Sequence, residues 1–237
     1  KNVLATYKAE ITKPMTRTEF YKVVGKLSHH FGDGHSFLIW PYQEFNALKE
    51  QGHKPFPFDV SISKNGEIVL KSSYKNANEH IAAGAKIKQI NGIGASEILN
   101  TMQQYSGGET QYLREQVVAR RFPVVLWAVY GFIDEFDLVV SEESVDKVVS
   151  IKAEQQWQTL QLEKNDNDFY YKHLQEGIGY LYLAHFDVDP DEFEEFIDQQ
   201  LSQIREENIR SLIIDIRNNT GGNTDTVTYL TRYLADK

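Results

Sequence analysis

The chain has no cysteine. That removes disulfides, thiolate zinc sites, iron–sulfur clusters and thiol nucleophiles together. It has no run of about 20 consecutive apolar residues, the length a membrane-crossing helix requires. Positive charge is short as well: 25 Lys+Arg stand against 34 Asp+Glu, a formal net charge of −9. Neutralising phosphates takes clustered Lys and Arg, so this balance argues against nucleic-acid binding. Bulk disorder is excluded by 41% hydrophobic and 12% aromatic residues, which is ordinary globular composition. A length of 237 residues corresponds to one or two domains and suffices to bury roughly 70–75% of the unfolded surface. The first residue is Lys1, not Met, which fits a leader or upstream segment having been removed.

The acid excess sits in one place. From Asp187 to Glu207 there are nine acids and one base. Asp187, Asp189 and Asp191 take the first, third and fifth places of a possible calcium loop. Such a loop needs Gly sixth and Glu twelfth, where this chain has Glu192 and Asp198. A helix start explains the segment better. Asp189 can cap, Pro190 suits the first helical position, and Asp191 and Glu192 complement the positive end of the helix dipole. Phe193, Phe196, Ile197, Leu201 and Ile204 then form one apolar stripe, with Glu194, Glu195 and Asp198 off it and facing water.

Other elements follow from spacing and punctuation. Thr16-Arg17-Thr18-Glu19 fits a capping box, after which Phe20, Val23, Val24, Leu27 and Phe31 keep helical spacing to Gly32. Phe37 to Trp40 reads as a short strand. Phe58 to Lys71 reads as a hairpin turning at Lys64-Asn65-Gly66. Glu97 to Tyr105 and Thr110 to Arg121 are expected to be helical, with Ser106-Gly107-Gly108 breaking the chain between them. Val124 to Tyr130 is expected to be a buried helical turn or two, and Phe136 to Val140 and Val145 to Ile151 strands. Gln155 to Asp168 is polar and gives little direction. Ile178 to Leu183 and Leu212 to Ile216 are apolar runs expected to be buried parallel strands on either side of the acidic helix. A loop, Asn218 to Gly222, then leads into a helix over Val227 to Leu234.

Several residues are candidates for chemistry. The Asn218-Asn219-Thr220-Gly221-Gly222 loop leaves the carboxyl end of a parallel strand, where open α/β sheets place ligands. Two adjacent glycines allow backbone N–H groups to face a phosphate or a developing oxyanion; a plain strand-to-helix turn is the alternative. No G-x-G-x-x-G or G-x-x-x-x-G-K-[ST] pattern is present, which removes the nucleotide reading. His35 lies in the turn Gly32-Asp33-Gly34-His35-Ser36 and can exchange a proton near neutral pH; a surface histidine without a role is the alternative. A metal site would have to join His29, His30, Asp33 and His35, yet neighbouring helical residues point about 100° apart. Asp215 and Arg217 share one strand face and suit an ion pair or loop brace. Tyr180 and Tyr182 read as core, and His185 is a second, weaker site histidine.

These residues carry a resemblance. Ser211-Leu212-Ile213-Ile214-Asp215-Ile216-Arg217-Asn218-Asn219-Thr220-Gly221-Gly222 resembles the D-[LI]-R-x-N-x-G-G segment of the S41 serine peptidases, the tail-specific, carboxyl-terminal-processing and tricorn-like proteases. Ile178-Gly179-Tyr180-Leu181-Tyr182-Leu183 with Phe186 is similar to their I-G-Y strand. Asp33-Gly34-His35-Ser36 resembles their D-G-H-[ST] turn. Gly84-Ala85-Lys86-Ile87-Lys88-Gln89-Ile90-Asn91-Gly92 resembles a stretch of their PDZ-like domain, with Ala85 where Asp is usual.

The resemblance implies an α+β and α/β chain in three parts. These are an N-terminal helical segment (1–55), a PDZ-like substrate-binding domain (56–106), and the first βαβ part of a peptidase core (107–237). It implies a serine endopeptidase acting through an acyl-enzyme, with His35 as general base, Gly221 and Gly222 as oxyanion-hole amides, and Asp215, Arg217 and Asn219 in support. It implies no cofactor or metal, a peptide or protein substrate, and a periplasmic, cell-envelope or secreted location, and it leaves a homo-oligomer open. The family's nucleophilic serine follows a further strand in a T-x-S-[SA]-like turn. None of Ser28, Ser36, Ser202 or Ser211 stands in that context, so the nucleophile is expected outside these residues and the chain alone is expected to be inactive. The competing classes are a non-catalytic peptide-binding module built on Ser61 to Met102, and a His-ligated metal hydrolase.

Overall fold

Thr16 opens the second helix as its sequence requires: its hydroxyl accepts from Glu19 N–H, and the Glu19 carboxylate accepts from Thr16 N–H at 2.8 Å. The structure, a computed structural model, describes residues 2–160 and 167–234. Two units divide the chain, Lys1–Leu162 and Glu163–Lys237.

The first unit begins with α1 (Val3–Glu10), α2 (Arg17–Val24) and α3 (Tyr42–Glu50). After Val24 the backbone tightens into a 3₁₀ turn, Gly25–His30, so the expected single helix up to Phe31 is really two segments. Close approach fixes glycine at this junction: a Cβ on Gly25 would lie 2.7 Å from the Tyr105 ring and 3.0 Å from that of Tyr21. Phe37 to Trp40 is not a strand. Side chains satisfy its backbone instead, with Leu38 N–H donating to Ser28 Oγ at 2.9 Å and Tyr21 Oη donating to Leu38 O at 3.4 Å, while Trp40 anchors the segment in the core.

The strands of this unit are β1 (Val60–Ile62), β2 (Ile68–Leu70), β3 (Ser73–Lys75), β4 (His80–Ile81), β5 (Lys86–Ile90) and β6 (Ile93–Gly94). Next come α4 (Ala95–Gln103), α5 (Gln111–Arg120) and α6 (Phe122–Tyr130), then β7 (Phe136–Glu142), β8 (Val145–Ile151) and β9 (Gln158–Leu160). One sheet runs β1-β2-β5-β7-β8 with β6 on β5; β3 pairs with β4 and β9 in another. The expected boundary at 106–107 falls inside this unit, because β7 pairs antiparallel with β5. Both faces of α6 are occupied, as its apolar sequence demands: Phe122, Val124, Val125, Leu126, Trp127 and Ala128 are all buried. Around it Phe56 meets Phe58, Phe122 and Phe136 edge-on at 5.2–5.7 Å, contacts worth about 0.5–1.5 kcal/mol each beyond area. The polar stretch from Gln155 to Asp168 lies partly outside the described residues.

The second unit is β10 (Phe169–Gln175), β11 (Ile178–Leu183), α7 (Pro190–Glu206), β12 (Ser211–Asp215) and α8 (Thr224–Leu234), with sheet order β10-β11-β12. β11 and β12 are parallel, as expected, and β10 and β11 antiparallel. Asp189 caps α7, its carboxylate accepting from Asp191 N–H and Glu192 N–H. Phe193 and Ile197 of α7 and Leu230 of α8 pack with Leu181 and Leu183.

This unit corrects one expectation. The two apolar strands are not buried on both faces: along β11 burial alternates, and on β12 only Asp215 is fully buried, while Ile213 and Ile216 are 48% and 52% exposed. The helices pack on one face only, and β12 has a single paired neighbour among the described residues. Gly179 of β11 is required sterically. A Cβ there would lie 2.7 Å from the Tyr171 ring, whose hydroxyl donates to Glu207 at 2.7 Å. Burial and that carboxylate push the Tyr171 phenol up to about 12.

Candidate active site

The loop after β12 is fastened to the chain that follows β11. Phe186 N–H donates to Gly221 O at 2.7 Å, and Asn223 N–H donates to Phe186 O at 2.9 Å. Thr220 N–H donates to Ala184 O at 3.2 Å. Gly222 thus forms a parallel bridge with Phe186 so close that a Cβ would lie 2.1 Å from Phe186 C and Asp187 N. Its φ of 144° and the φ of 85° at Gly221 both favour glycine. The two glycines differ in their surroundings, because nothing lies within 4 Å of a Cβ placed on Gly221. They differ also in their donors. Gly221 N–H donates to Asn219 Oδ1 at 2.8 Å; Gly222 N–H has no acceptor among the described residues.

The strand end beneath this loop is braced by charge. Asp215 Oδ1 accepts from Arg217 N–H at 3.0 Å and Arg217 Nε at 2.9 Å, while Oδ2 accepts from Arg217 Nη2 at 2.7 Å and from Tyr180 Oη at 2.5 Å. The Arg217 guanidinium holds the Asp215 carboxyl far below the usual carboxylate range, with help from Tyr180 and against the effect of burial. Tyr180 titrates above its ordinary value because of burial and that same carboxylate. Tyr180 is therefore a member of this brace, not simply core. A period-two pattern shows which face it lies on, but not that its hydroxyl reaches a carboxylate 35 residues away.

In the first unit His35 is presented by a tight turn. Asp33 makes the turn: its carboxylate accepts from Ser36 Oγ at 2.6 Å and from His35 N–H at 3.0 Å, and its carbonyl accepts from Ser36 N–H at 3.2 Å. Those bonds, the Ser36 hydroxyl foremost, lower the Asp33 pKa. The His35 ring is fully exposed, with Nδ1 3.5 Å from Asp33 Oδ1. The turn sits on Gly107, where a Cβ would meet Ser36 O at 2.5 Å and Asp33 O at 2.7 Å. The sequence marked Ser106-Gly107-Gly108 only as a break. Its second role, as the seat of the His35 turn, needs contact information that local pattern does not hold.

The remaining candidates are placed as follows. The His29 and His30 rings lie at 73° to one another, and no group of three or more His, Asp or Glu among the described residues is arranged to hold a metal. Asp187, Asp189 and Asp191 belong to the start of α7, with Asp189 as its cap. His185 packs edge-on against Phe169, and its Nε2 lies 3.4 Å from Asp168. His35 belongs to the first unit, and Asp215, Arg217, Asn219, Gly221 and Gly222 to the second.

The second unit is thus a parallel strand pair joined by a long helix, ending in a braced strand and a glycine loop. Residues 177–237 match the model of Peptidase family S41. No curated protein matches the chain. Among solved structures, mature CPAF is similar with a TM-score of 0.61 at 15% identity, over 93% of this chain and 50% of that chain. The photosystem II D1 C-terminal processing protease gives a TM-score of 0.42 at 14% identity, over 100% and 59%. The chain spans about half the length of CPAF, and that likeness is one of fold, a mixture of helices and sheets.

Proposed function

We propose that the chain is part of an S41-type serine endopeptidase that hydrolyses peptide bonds through an acyl-enzyme. The observation that carries this reading is the family match over 177–237, which includes a loop whose Gly222 N–H has no acceptor among the described residues. In the reaction a serine outside these 237 residues attacks the scissile carbonyl. His35 takes the serine proton and returns it to the leaving amine. The Gly221–Gly222 loop faces the oxyanion of the tetrahedral intermediate. Asp215, Arg217 and Asn219 hold that loop in place. The strand-rich segment 56–106 is the PDZ-like part that engages the substrate chain. No metal or other cofactor takes part, and the protein acts in the cell envelope or outside the cell.

Fluorophosphonate labelling of the full-length gene product tests the reading. The intact protein is expected to label at one serine, and His35→Ala to slow labelling about 10²–10⁴-fold, the range of a lost general base. The 237-residue chain alone is expected not to label. Absence of labelling in a folded full-length protein would overturn the enzymatic reading and favour a peptide-binding module.

A further inference from the structure

We propose that the pocket between the β1–β2 turn and the start of α5 binds a primary ammonium group, the side chain of a lysine in a peptide, on the Glu115 carboxylate. The site lies wholly in the first unit and outside the 177–237 match, so it stands or falls independently of the S41 reading.

The pocket has a volume of about 460 Å³. It is lined by Lys64, Asn65 and Gly66 of the turn and by Gln111, Tyr112 and Glu115 of α5. Glu115 is the unusual member. It is only 7% exposed, and a buried carboxylate is ordinarily paired with a cation. Glu115 joins none of the ion pairs among the described residues. Its hydrogen bonds come from two neutral amides, and both go to one oxygen. Gln111 Nε2 donates to Oε1 at 2.8 Å, and Gln103 Nε2 donates to the same atom at 3.4 Å. Oε2 accepts from no described residue and is not sealed away from solvent. The carboxylate is held by one oxygen and leaves the other for a ligand in the pocket.

That geometry selects the ligand. A guanidinium binds a carboxylate best as a fork on both oxygens, and Oε1 is already taken twice. An ammonium needs one carboxylate oxygen and brings two more N–H donors. The carbonyls of Lys64, Asn65 and Gly66 accept no backbone hydrogen bond among the described residues and are available to them. Tyr112, 68% exposed, offers its ring to a cation at the rim. The four-carbon stem of a lysine can reach inward while the peptide backbone stays outside. Lys64 lines the same pocket without pairing with Glu115, so its charge opposes a cationic ligand.

NMR of the 237-residue chain tests this. Nα-acetyl-lysine amide is expected to shift the amide signals of Asn65, Gly66 and Tyr112 saturably. Its Nε-acetylated form, which has lost the charge, is expected to bind at least about tenfold more weakly. Glu115→Gln preserves the shape and the Oε1 bonds, and is expected to weaken lysine binding at least about tenfold. Because that variant removes an unpaired buried charge, its urea midpoint by tryptophan fluorescence is expected to be no lower than that of the parent. Tyr112→Ala is expected to weaken binding about two- to fivefold, and Lys64→Gln to tighten it. Equal shifts from lysine and its Nε-acetylated form would overturn the proposal, and so would unaltered binding in Glu115→Gln. A lowered urea midpoint in Glu115→Gln would overturn it too, by assigning the carboxylate to the fold. Nα-acetyl-arginine amide, and glycine amide with only an α-amine, are expected to bind more weakly; equal or tighter binding of either would overturn the lysine assignment.

Discussion

Replacing Gly222 with alanine is expected to be far more damaging than the same change one residue earlier. At Gly222 the new Cβ would lie 2.1 Å from two backbone atoms, Phe186 C and Asp187 N, and 2.5 Å from Phe186 O. None of these is the flexible end of a side chain, so relief requires the bridge to open. Opening it breaks the bonds from Phe186 N–H and Asn223 N–H, about 1 kcal/mol each. The φ of 144° adds about 1–3 kcal/mol for a non-glycine residue. The sum is a destabilisation of the second unit by about 3–5 kcal/mol. At Gly221 the space is open, and only the backbone penalty at φ 85° applies, about 1–2 kcal/mol. The assay has a built-in control. All three tryptophans, Trp40, Trp127 and Trp157, lie in the first unit. Urea unfolding followed by tryptophan fluorescence therefore reads the first unit, while amide exchange at Leu181 and Leu183 reads the second. The steric argument is refuted if Gly222→Ala and Gly221→Ala destabilise the second unit equally, or if Gly222→Ala costs under about 1 kcal/mol.

Three further outcomes follow. Gly107→Ala should lower the urea midpoint seen by tryptophan and shift the NMR signals of Asp33, His35 and Ser36, because the added methyl would meet the carbonyls of Ser36 and Asp33 at 2.5 and 2.7 Å; unchanged signals would mean the turn is not seated there. Tyr180→Phe removes one donor to Asp215 and should destabilise the second unit by about 1 kcal/mol, read by amide exchange on β11. Asp215 has its carboxyl pKa lowered in the folded state, so its stabilisation is complete above an unfolded value near 4 and is lost as pH falls below it. With Arg217 84% exposed, that term should be held to about 2 kcal/mol. Asp215→Asn should flatten this acid dependence, and an acid limb identical to that of the parent would count against the brace.

Elements governed by local chemistry were legible in the sequence. The Thr16–Glu19 box, the Asp189–Pro190 start of α7 and the Val60–Leu70 hairpin form as read, because caps and tight turns are set by residues within a few positions of each other. What failed depended on distant partners. Phe37 to Trp40 has the look of a strand, but Ser28 and Tyr21 satisfy its backbone. Leu212 to Ile216 is as apolar as a buried strand, yet only Leu212 and Ile214 pack with the helices, and Ile213, on the opposite face, is exposed. An apolar run shows that a strand can be buried; what packs on each face decides whether it is.

The same division runs through the candidate site. Asp215, Arg217 and the glycine pair were legible because a strand end, a short charge spacing and two permissive residues are all local features. The direction of each glycine N–H was not, since it is set by Phe186 from one side and by the Asn219 side chain, itself tied to Leu183, from the other. A glycine pair tells only that the backbone is free to adopt unusual angles. Which amide remains free depends on who has already accepted from its neighbour. Here an asparagine two residues upstream accepts from Gly221, whereas the Gly222 N–H has no acceptor among the described residues.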